Sequence, residues 1–258
     1  MHTSQASACG RSPGRDYIRK YMDAGYAGII ITDHFYRGNC GVDRNLPWPE
    51  FVNRFCSGYE DARNGGERLG FPVYFGWEEN FDGDEYLING LDKAWMASHP
   101  EMPTWTHKQQ YEIVRAAGGC VVQAHPFRAR PYNHTIYLAQ ALVDAVEGVN
   151  AANEPQWNSL AMRYARILGL PITAGSDIHS VDTVAPDRLA GVTFDRPLNS
   201  VQDYVSAILE RKPFGLHLPS APAEWTEAVA PALPCKWLDA DGREVGADVM
   251  EILQRGHL

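Results

Sequence analysis

The chain has 258 residues, 45% of them hydrophobic and 21% charged, the composition of an ordinary globular protein long enough to bury a substantial core. A formal net charge of −9 argues against broad affinity for nucleic acid or anionic membranes, although a local basic pocket is compatible with it. Five cysteines, an odd number with no CxxC spacing, disfavour a disulfide framework or a zinc ribbon and fit a reducing cytoplasm. No apolar run approaches the roughly 18 residues of a membrane span, and the N-terminus lacks a basic-then-apolar signal.

Residues 1–15 are small and polar and read as loop. Residues 16–24 have helical spacing, with Tyr17, Tyr21 and Ala24 on one face and Gly25 closing the end. A β-branched run, 28–31, predicts a buried strand ending in Thr32-Asp33-His34. Residues 49–69 predict one long helix closed by Gly70, then 73–75 a strand ending in Gly76-Trp77-Glu78, and 86–88 another. A helix over 108–117 leads to a strand at 120–123 that ends in Ala124-His125-Pro126. Residues 136–142 read as helix, 145–149 as strand, 157–168 as helix, and 168–172 as a strand running into Gly175-Ser176-Asp177-Ile178-His179. A late strand at 191–194 and a helix at 201–210 follow. Beyond residue 216, Pro219, Pro222, Pro231 and Pro234 make a winding tail with a hairpin turn near 236–242.

Alternating helices and continuous apolar strands indicate a parallel sheet covered by helices, as a barrel or an open sheet. No GxGxxG or GxxxxGK[ST] loop occurs. Every candidate strand end instead carries a possible metal ligand: His34 beside Asp33, Glu78, His125, and Asp177 with His179, while His2 stands at the start. An Asp and a His two residues apart at a strand end would point the same way. In a barrel of parallel strands the C-terminal ends share one mouth, and imidazoles mixed with carboxylates suit zinc, manganese or iron. Glu78 could bridge two ions. Each residue alone also has a plainer role: a hydrogen-bonded structural His, a capping Glu, a turn-forming Asp.

Taken together, Met1-His2, Thr32-Asp33-His34, Gly76-Trp77-Glu78, His125-Pro126 and Gly175-Ser176-Asp177-Ile178-His179 resemble the motifs of the PHP (polymerase and histidinol phosphatase) superfamily, in order and spacing, over residues 1 to about 215. The resemblance implies an α/β fold, a distorted (β/α)7 barrel at 1–215 with an irregular extension at 216–258, and a cytoplasmic metal-dependent phosphoesterase with metal ions at its mouth. It also implies a grouping of ligands: His2, Glu78 and Asp177 at one ion, Glu78 and His125 at a second, His34 and His179 at a third. Three departures stand out. The leading His of an HxH would fall before Met1, with the first strand, which fits a start assigned too late or a true truncation. Relatives with three ions carry another His or Asp a few residues later, where Cys9 is the only donor here. They also often have a His after the strand following GxE, where Asp92 is a weak substitute. Two or three divalent ions (manganese, iron or zinc) are therefore expected.

Arg11, Arg128 and Arg130 suit phosphate oxygens, or form surface ion pairs. His134 and Asn150 are assigned to the mouth, His134 and Arg128 as catalytic groups and Asn150 as a substrate contact. Phe35, Tyr36 and Trp48 could frame a leaving group, or belong to the core. The expected reaction is hydrolysis of a small-molecule phosphate ester by a metal-bound hydroxide, with no nucleic-acid or membrane partner. Two alternatives stand beside it: hydrolysis of a C–N or carboxylic ester bond, and a degenerate module that binds metal without catalysis. The length leaves no room for an attached polymerase.

Overall fold

The buried apolar runs become strands of a mixed α/β fold in the computed structural model, which describes residues 1–219, 224, 226–246 and 248–255. Pro222, one of the prolines expected to wind the tail, lies outside these residues. The first half of the chain forms α1 (Asp16–Asp23), β1 (Ile29–His34), α2 (Trp48–Phe55), α3 (Ser57–Glu67), β2 (Val73–Phe81), β3 (Asp84–Asn89), α4 (Lys93–Ala97), α5 (His107–Ala116) and β4 (Cys120–Gln123). The second forms β5 (Ile136–Leu138), β6 (Ala145–Asn150), α6 (Pro155–Leu168), β7 (Ile172–Gly175), β8 (Gly191–Thr193), α7 (Val201–Leu209), β9 (Gly215–His217), β10 (Cys235–Leu238), β11 (Glu244–Val245) and α8 (Val249–Arg255).

Six described strands make the main sheet, in the order β1-β2-β3-β4-β6-β7. The pairs β1–β2, β4–β6 and β6–β7 are parallel, as the strand–helix alternation predicts. The exception is β3, antiparallel to both β2 and β4. Its hairpin turns on Asp82 and Gly83, both at positive φ (54° and 99°), the backbone that a two-residue Asp-Gly turn of the I′ kind requires. The sheet curls into a half barrel, and the first two residues lie between its edges. Met1 O accepts from Thr32 N (3.2 Å) on β1, and His2 N donates to Ile178 O (3.0 Å) just beyond β7.

Several expectations are corrected. The long helix at 49–69 is broken at Cys56 into α2 and α3. The second helix is set so that Gly58 lies against Thr3, where a Cβ would come within 2.0 Å of Oγ1. The run 136–142 is the short strand β5 followed by a 3-10 turn, not a helix. Ile136 and Leu138 are buried and Tyr137 is half-buried, a period-two pattern too short to distinguish from one helical turn. The late strand β8 pairs antiparallel with β9 outside the main sheet, and its half-exposed residues explain why it takes no interior place. The tail builds regular structure: β10 pairs with β5 and β11, and Val249 and Leu253 of α8 pack on Leu160 and Tyr164 of α6.

The largest core cluster lies between β2–β3 and helices α2 to α5. Phe35 sits within it, 5.0 Å from Phe55, 5.9 Å from Phe51 and 6.2 Å from Trp48 and Trp77 by ring centroids. These aromatics therefore anchor the end of β1 rather than frame a ligand. Truncating Phe35 would cost on the order of 3–5 kcal/mol and loosen the strand end that carries His34. All five cysteines are free. Among the described residues no helix is long and apolar enough to cross a membrane.

His107 opens α5 and is buried against the rings of Phe81 (4.9 Å) and Tyr86 (4.2 Å), and neither ring nitrogen has a partner. Burial alone pushes its pKa from 6.5 down to about 3, so the folded chain holds it neutral while the unfolded chain protonates it. The unfolded state then binds more protons below pH 6.5, and stability falls as pH drops towards 3. The expected loss is up to about 1.4 kcal/mol per pH unit. In His107→Phe this component should vanish from urea-unfolding free energies measured between pH 4 and 7; an unchanged slope would show that His107 is not held neutral.

Candidate metal centre

Glu78 stands at the middle of the constellation, fully buried on the inner face of β2. Its Oε2 lies 2.9 Å from His34 Nδ1 and 3.4 Å from His2 Nε2, and its Oε1 lies 3.3 Å from His125 Nε2. One carboxylate thus faces three imidazoles from three parts of the chain. Asp177 closes the set, with Oδ1 3.0 Å from His2 Nε2 and Oδ2 ion-paired to Arg128. The His2 ring stacks on His34 at 4.1 Å and tilts against His179 at 4.6 Å.

Local structure aims these groups. His34 is the last residue of β1, held by Phe35 behind it and by Ser7 Oγ, which accepts from its backbone N–H at 3.0 Å. Asp33 points away from the centre. It accepts from Thr3 N (2.6 Å), Thr3 Oγ1 (2.8 Å) and Ser7 Oγ (2.6 Å), and so clamps the segment that carries His2. His125 and Asp177 both adopt positive φ, 28° and 46°, which is uncommon for residues other than glycine and costs about 1–3 kcal/mol each. Glu147, buried in β6, accepts from His125 N (3.1 Å) and Asn150 Nδ2 (2.9 Å) and props the His125 turn from behind. Asp177 and His179 lie beyond the end of β7, so their convergence comes from this turn and not from strand alternation.

The electrostatics are those of acids short of positive charge. Burial opposes ionisation of Glu78, but the His34 charge and the hydrogen bond from His125 hold it well below the usual carboxylate range. Asp177 is likewise held low, burial being outweighed by His2 and Arg128. Burial disfavours the charged form of His34, yet Glu78 drives it up to about 12, and His125 rises to about 9. His2 goes the other way, to about 3, through burial and the neighbouring His34 charge. Protons on two imidazoles balance the carboxylates.

The donors fit a divalent cation. His34 Nδ1 and Glu78 Oε2 are buried and 2.9 Å apart, yet neither has a hydrogen-bond partner, because their approach lacks hydrogen-bond directionality. Two sets of three have donor atoms within 4.8 Å of one another: His2, His34 and His179, and His34, Glu78 and Glu85. This grouping differs from the one the resemblance implies, since His34 belongs to both sets. Glu85 is the residue that sequence reasoning missed. It lies 3.4 Å from both His34 Nδ1 and His125 Nε2, and burial followed by Glu78 repulsion raises its pKa to about 7. The signal was the Asp82-Gly83 turn: a two-residue hairpin pairs Asn80 with Glu85 and Glu78 with Leu87, which puts Glu85 on the same inner face as Glu78.

The remaining candidates divide. Arg128 and Arg130 line a cleft of about 660 Å³ together with His34, Glu85, His125, Asp177 and His179. Arg11 is exposed and outside that lining, and only its backbone N–H meets the site, donating to His179 O at 2.7 Å. His134 is also exposed and outside it. Asn150 is buried and bound to Glu147 and Asn158; it lies outside that lining but lines a second cavity of about 550 Å³ with His2, Glu78, His125 and Asp177. Asp92 caps α4, its carboxylate accepting from Trp95 N at 2.7 Å, and so is no donor here.

Residues 155–213 match the family model described as PHP-associated. A two-domain protein from Bacteroides vulgatus containing a predicted PHP-like metal-dependent phosphoesterase has a similar fold, at a TM-score of 0.51 and 15% identity over 84% of this chain and 63% of that one. A protein from Bifidobacterium adolescentis described as a candidate metal-dependent phosphoesterase aligns at a TM-score of 0.47 and 15% identity, over 79% of this chain and 92% of that one. No curated protein sequence matches the chain. The PHP-associated segment falls within the residues whose motifs resemble the PHP superfamily.

If Glu85 is a ligand, Glu85→Ala should weaken retention of divalent metal at least about tenfold, read by elemental analysis after dialysis against graded chelator. His134→Ala should leave it unchanged. Equal metal content in wild type and Glu85→Ala would remove Glu85 from the centre.

Proposed function

We propose that the chain is a metal-dependent phosphoesterase of the PHP type that hydrolyses a small-molecule phosphate ester in the cytoplasm. The observation that carries this reading is Glu78, one buried carboxylate facing His2, His34 and His125, of which His34 and His125 line a cleft together with Arg128 and Arg130. The curled sheet is read as a distorted barrel whose strand ends carry these side chains. His2, His34, Glu78, Glu85, His125, Asp177 and His179 would hold two or three ions, with manganese, iron and zinc as the candidates. When bound, such ions supply Lewis-acid activation of water and neutralise charge on phosphate oxygens.

Arg128 spans the two halves of the site. Its guanidinium pairs with Asp177, and its Nε is buried without a hydrogen-bond partner. A cation at Asp177 would compete for that carboxylate and leave the planar fork free for phosphate oxygens. Arg130, half-buried on the cleft wall, adds a second positive group for the same anion. Neither Arg11 nor His134 is given a catalytic role, since both lie outside the cleft. The same centre could polarise a carbonyl and cleave a C–N or carboxylic ester bond; the two arginines favour the more highly charged phosphate.

The test is a substrate comparison on metal-loaded protein of the full chain. Turnover of p-nitrophenyl phosphate that is lost on chelation and restored by metal is the expected result. Arg128→Ala should lower it roughly a hundredfold. Hydrolysis of p-nitrophenyl acetate with no phosphate turnover would favour the carbonyl reading. Bound metal with no turnover of either would leave a non-catalytic metal-binding module.

A further inference from the structure

We infer that the alcohol part of the phosphate ester is polyhydroxylated, an open-chain or cyclic sugar, and that Asn80, Asn133 and Arg37 read its hydroxyl groups. The inference rests on the proposed function and adds to it the class of the leaving alcohol. The cleft of about 660 Å³ has the size of a small-molecule site, yet it departs from the apolar lining such sites usually have. Among the described residues that line it, none has an aliphatic side chain, and Tyr132 supplies the one benzene ring. Beyond the candidate metal ligands, Arg128 and Arg130, the wall includes three amides, Asn39, Asn80 and Asn133, with Arg37 and Asp82 beside them. An alkyl alcohol would strip water from these groups without replacing their hydrogen bonds. A sugar hydroxyl is donor and acceptor at once and can answer each of them.

Two polar atoms of these residues are already removed from water and make no hydrogen bond. Asn133 is buried and its Nδ2 donates to Gly83 O (3.1 Å), but its Oδ1 has no partner. Arg37 Nη1 is buried as well, 3.5 Å from Glu79 Oε2 without a hydrogen bond to it. An acceptor and a charged donor left unpaired are costly, and hydroxyl groups of a bound sugar would satisfy both. The wall is also rigid. Asn80 Oδ1 accepts from Gly83 N (3.1 Å), so two cleft amides grip the two peptide groups of one turn residue. Gly83 has φ 99°, and a Cβ there would lie 2.4 Å from Asn133 Oδ1. Asn133 N donates to Arg130 O (3.0 Å), which ties this amide to the loop of the two arginines. The Arg37 guanidinium lies 4.5 Å over the Phe81 ring and donates to Pro103 O (3.1 Å). Polar groups held in place beforehand lose little entropy when a ligand arrives. Tyr132 is exposed at the same cleft and offers one apolar face, enough for the C–H side of a sugar ring. In the hydrolysis the water oxygen bonds to phosphorus, the P–O bond to the sugar breaks, and the departing oxygen keeps a proton, with no change in oxidation state.

Matched esters, assayed by phosphate release on metal-loaded protein of the full chain, provide the test. Sorbitol-6-phosphate and hexyl phosphate have the same carbon chain and differ in their hydroxyl groups. The better of sorbitol-6-phosphate and glucose-6-phosphate should exceed hexyl phosphate in kcat/KM by at least about a hundredfold, because a site built for hydroxyls rejects the analogue that lacks them. Asn133→Ala should lower kcat/KM for the sugar phosphate about tenfold more than for hexyl phosphate. Asn80→Ala should shift the same ratio in the same direction, which covers the case of an Asn133 variant that does not fold. His134→Ala, outside the cleft, should leave the ratio unchanged. Hexyl phosphate cleaved within about tenfold of the best sugar phosphate would overturn the inference and leave the phosphoesterase reading intact. A nucleoside monophosphate that outruns every sugar phosphate would also overturn it, since the base would then be what the cleft reads. If no phosphate ester is turned over, the proposed function falls, and this inference with it.

Discussion

A carboxylate buried among imidazoles is the constraint on which the rest of this molecule turns. Glu78 is almost wholly removed from water, and an isolated carboxylate there would be too costly to keep charged. It stays ionised because His34 and His125 meet its two oxygens from opposite sides. Glu78 in turn pushes the pKa of both imidazoles up. The arrangement is self-consistent only if β1, β2 and β4 hold their ends in register, so the parallel pairing of β1 with β2 and the hairpin through β3 are electrostatic as well as structural necessities.

Supporting groups show how much of the fold serves that requirement. Asp33 does nothing at the centre, yet its three hydrogen bonds tie the first seven residues to the end of β1 and bring His2 beside Glu78 and Asp177. Glu147 fixes the His125 turn through its backbone, and the aromatic cluster around Phe35 fixes the start of the loop after His34. The unfavourable left-handed conformations at His125 and Asp177 persist because the surrounding contacts over-determine them. Such strain at two candidate ligands is the pattern of a site whose geometry matters more than its cost.

Much of this was legible in the sequence. The β-branched run before Thr32-Asp33-His34, the strand before Gly76-Trp77-Glu78 and the motif at Gly175 to His179 each carry a period or a turn residue that local physics reads directly. What escaped detection depended on pairing. Glu85 looks like an ordinary acidic residue after Asp-Gly-Asp until the hairpin register sets it diagonally beside Glu78. Glu147 did leave a trace, as a charge inside the apolar run Val146-Glu147-Gly148-Val149, where a buried carboxylate must find a partner. His134 and Arg11 are close in sequence to candidate ligands, yet both are exposed and outside the cleft lining. Side chains a few residues past a strand end can point to solvent as readily as inward.

Charge balance connects the acids, the arginine and the metal reading. Glu78 and Asp177 are held ionised deep in the site, and Glu85 stands beside them at the cleft. Opposite them stand Arg128 and the imidazoles of His34 and His125, whose pKa values Glu78 raises. A divalent ion can replace protons on imidazoles, because each freed nitrogen becomes a ligand at the moment it loses its charge. It can also draw Asp177 from Arg128, and the displaced guanidinium is then a buried cation in need of an anion. A phosphate group entering the cleft is an anion of matching shape and charge. Under the proposed function, metal binding and recognition of a phosphate would therefore be coupled through one carboxylate, and Arg128 would be the side chain through which that coupling acts.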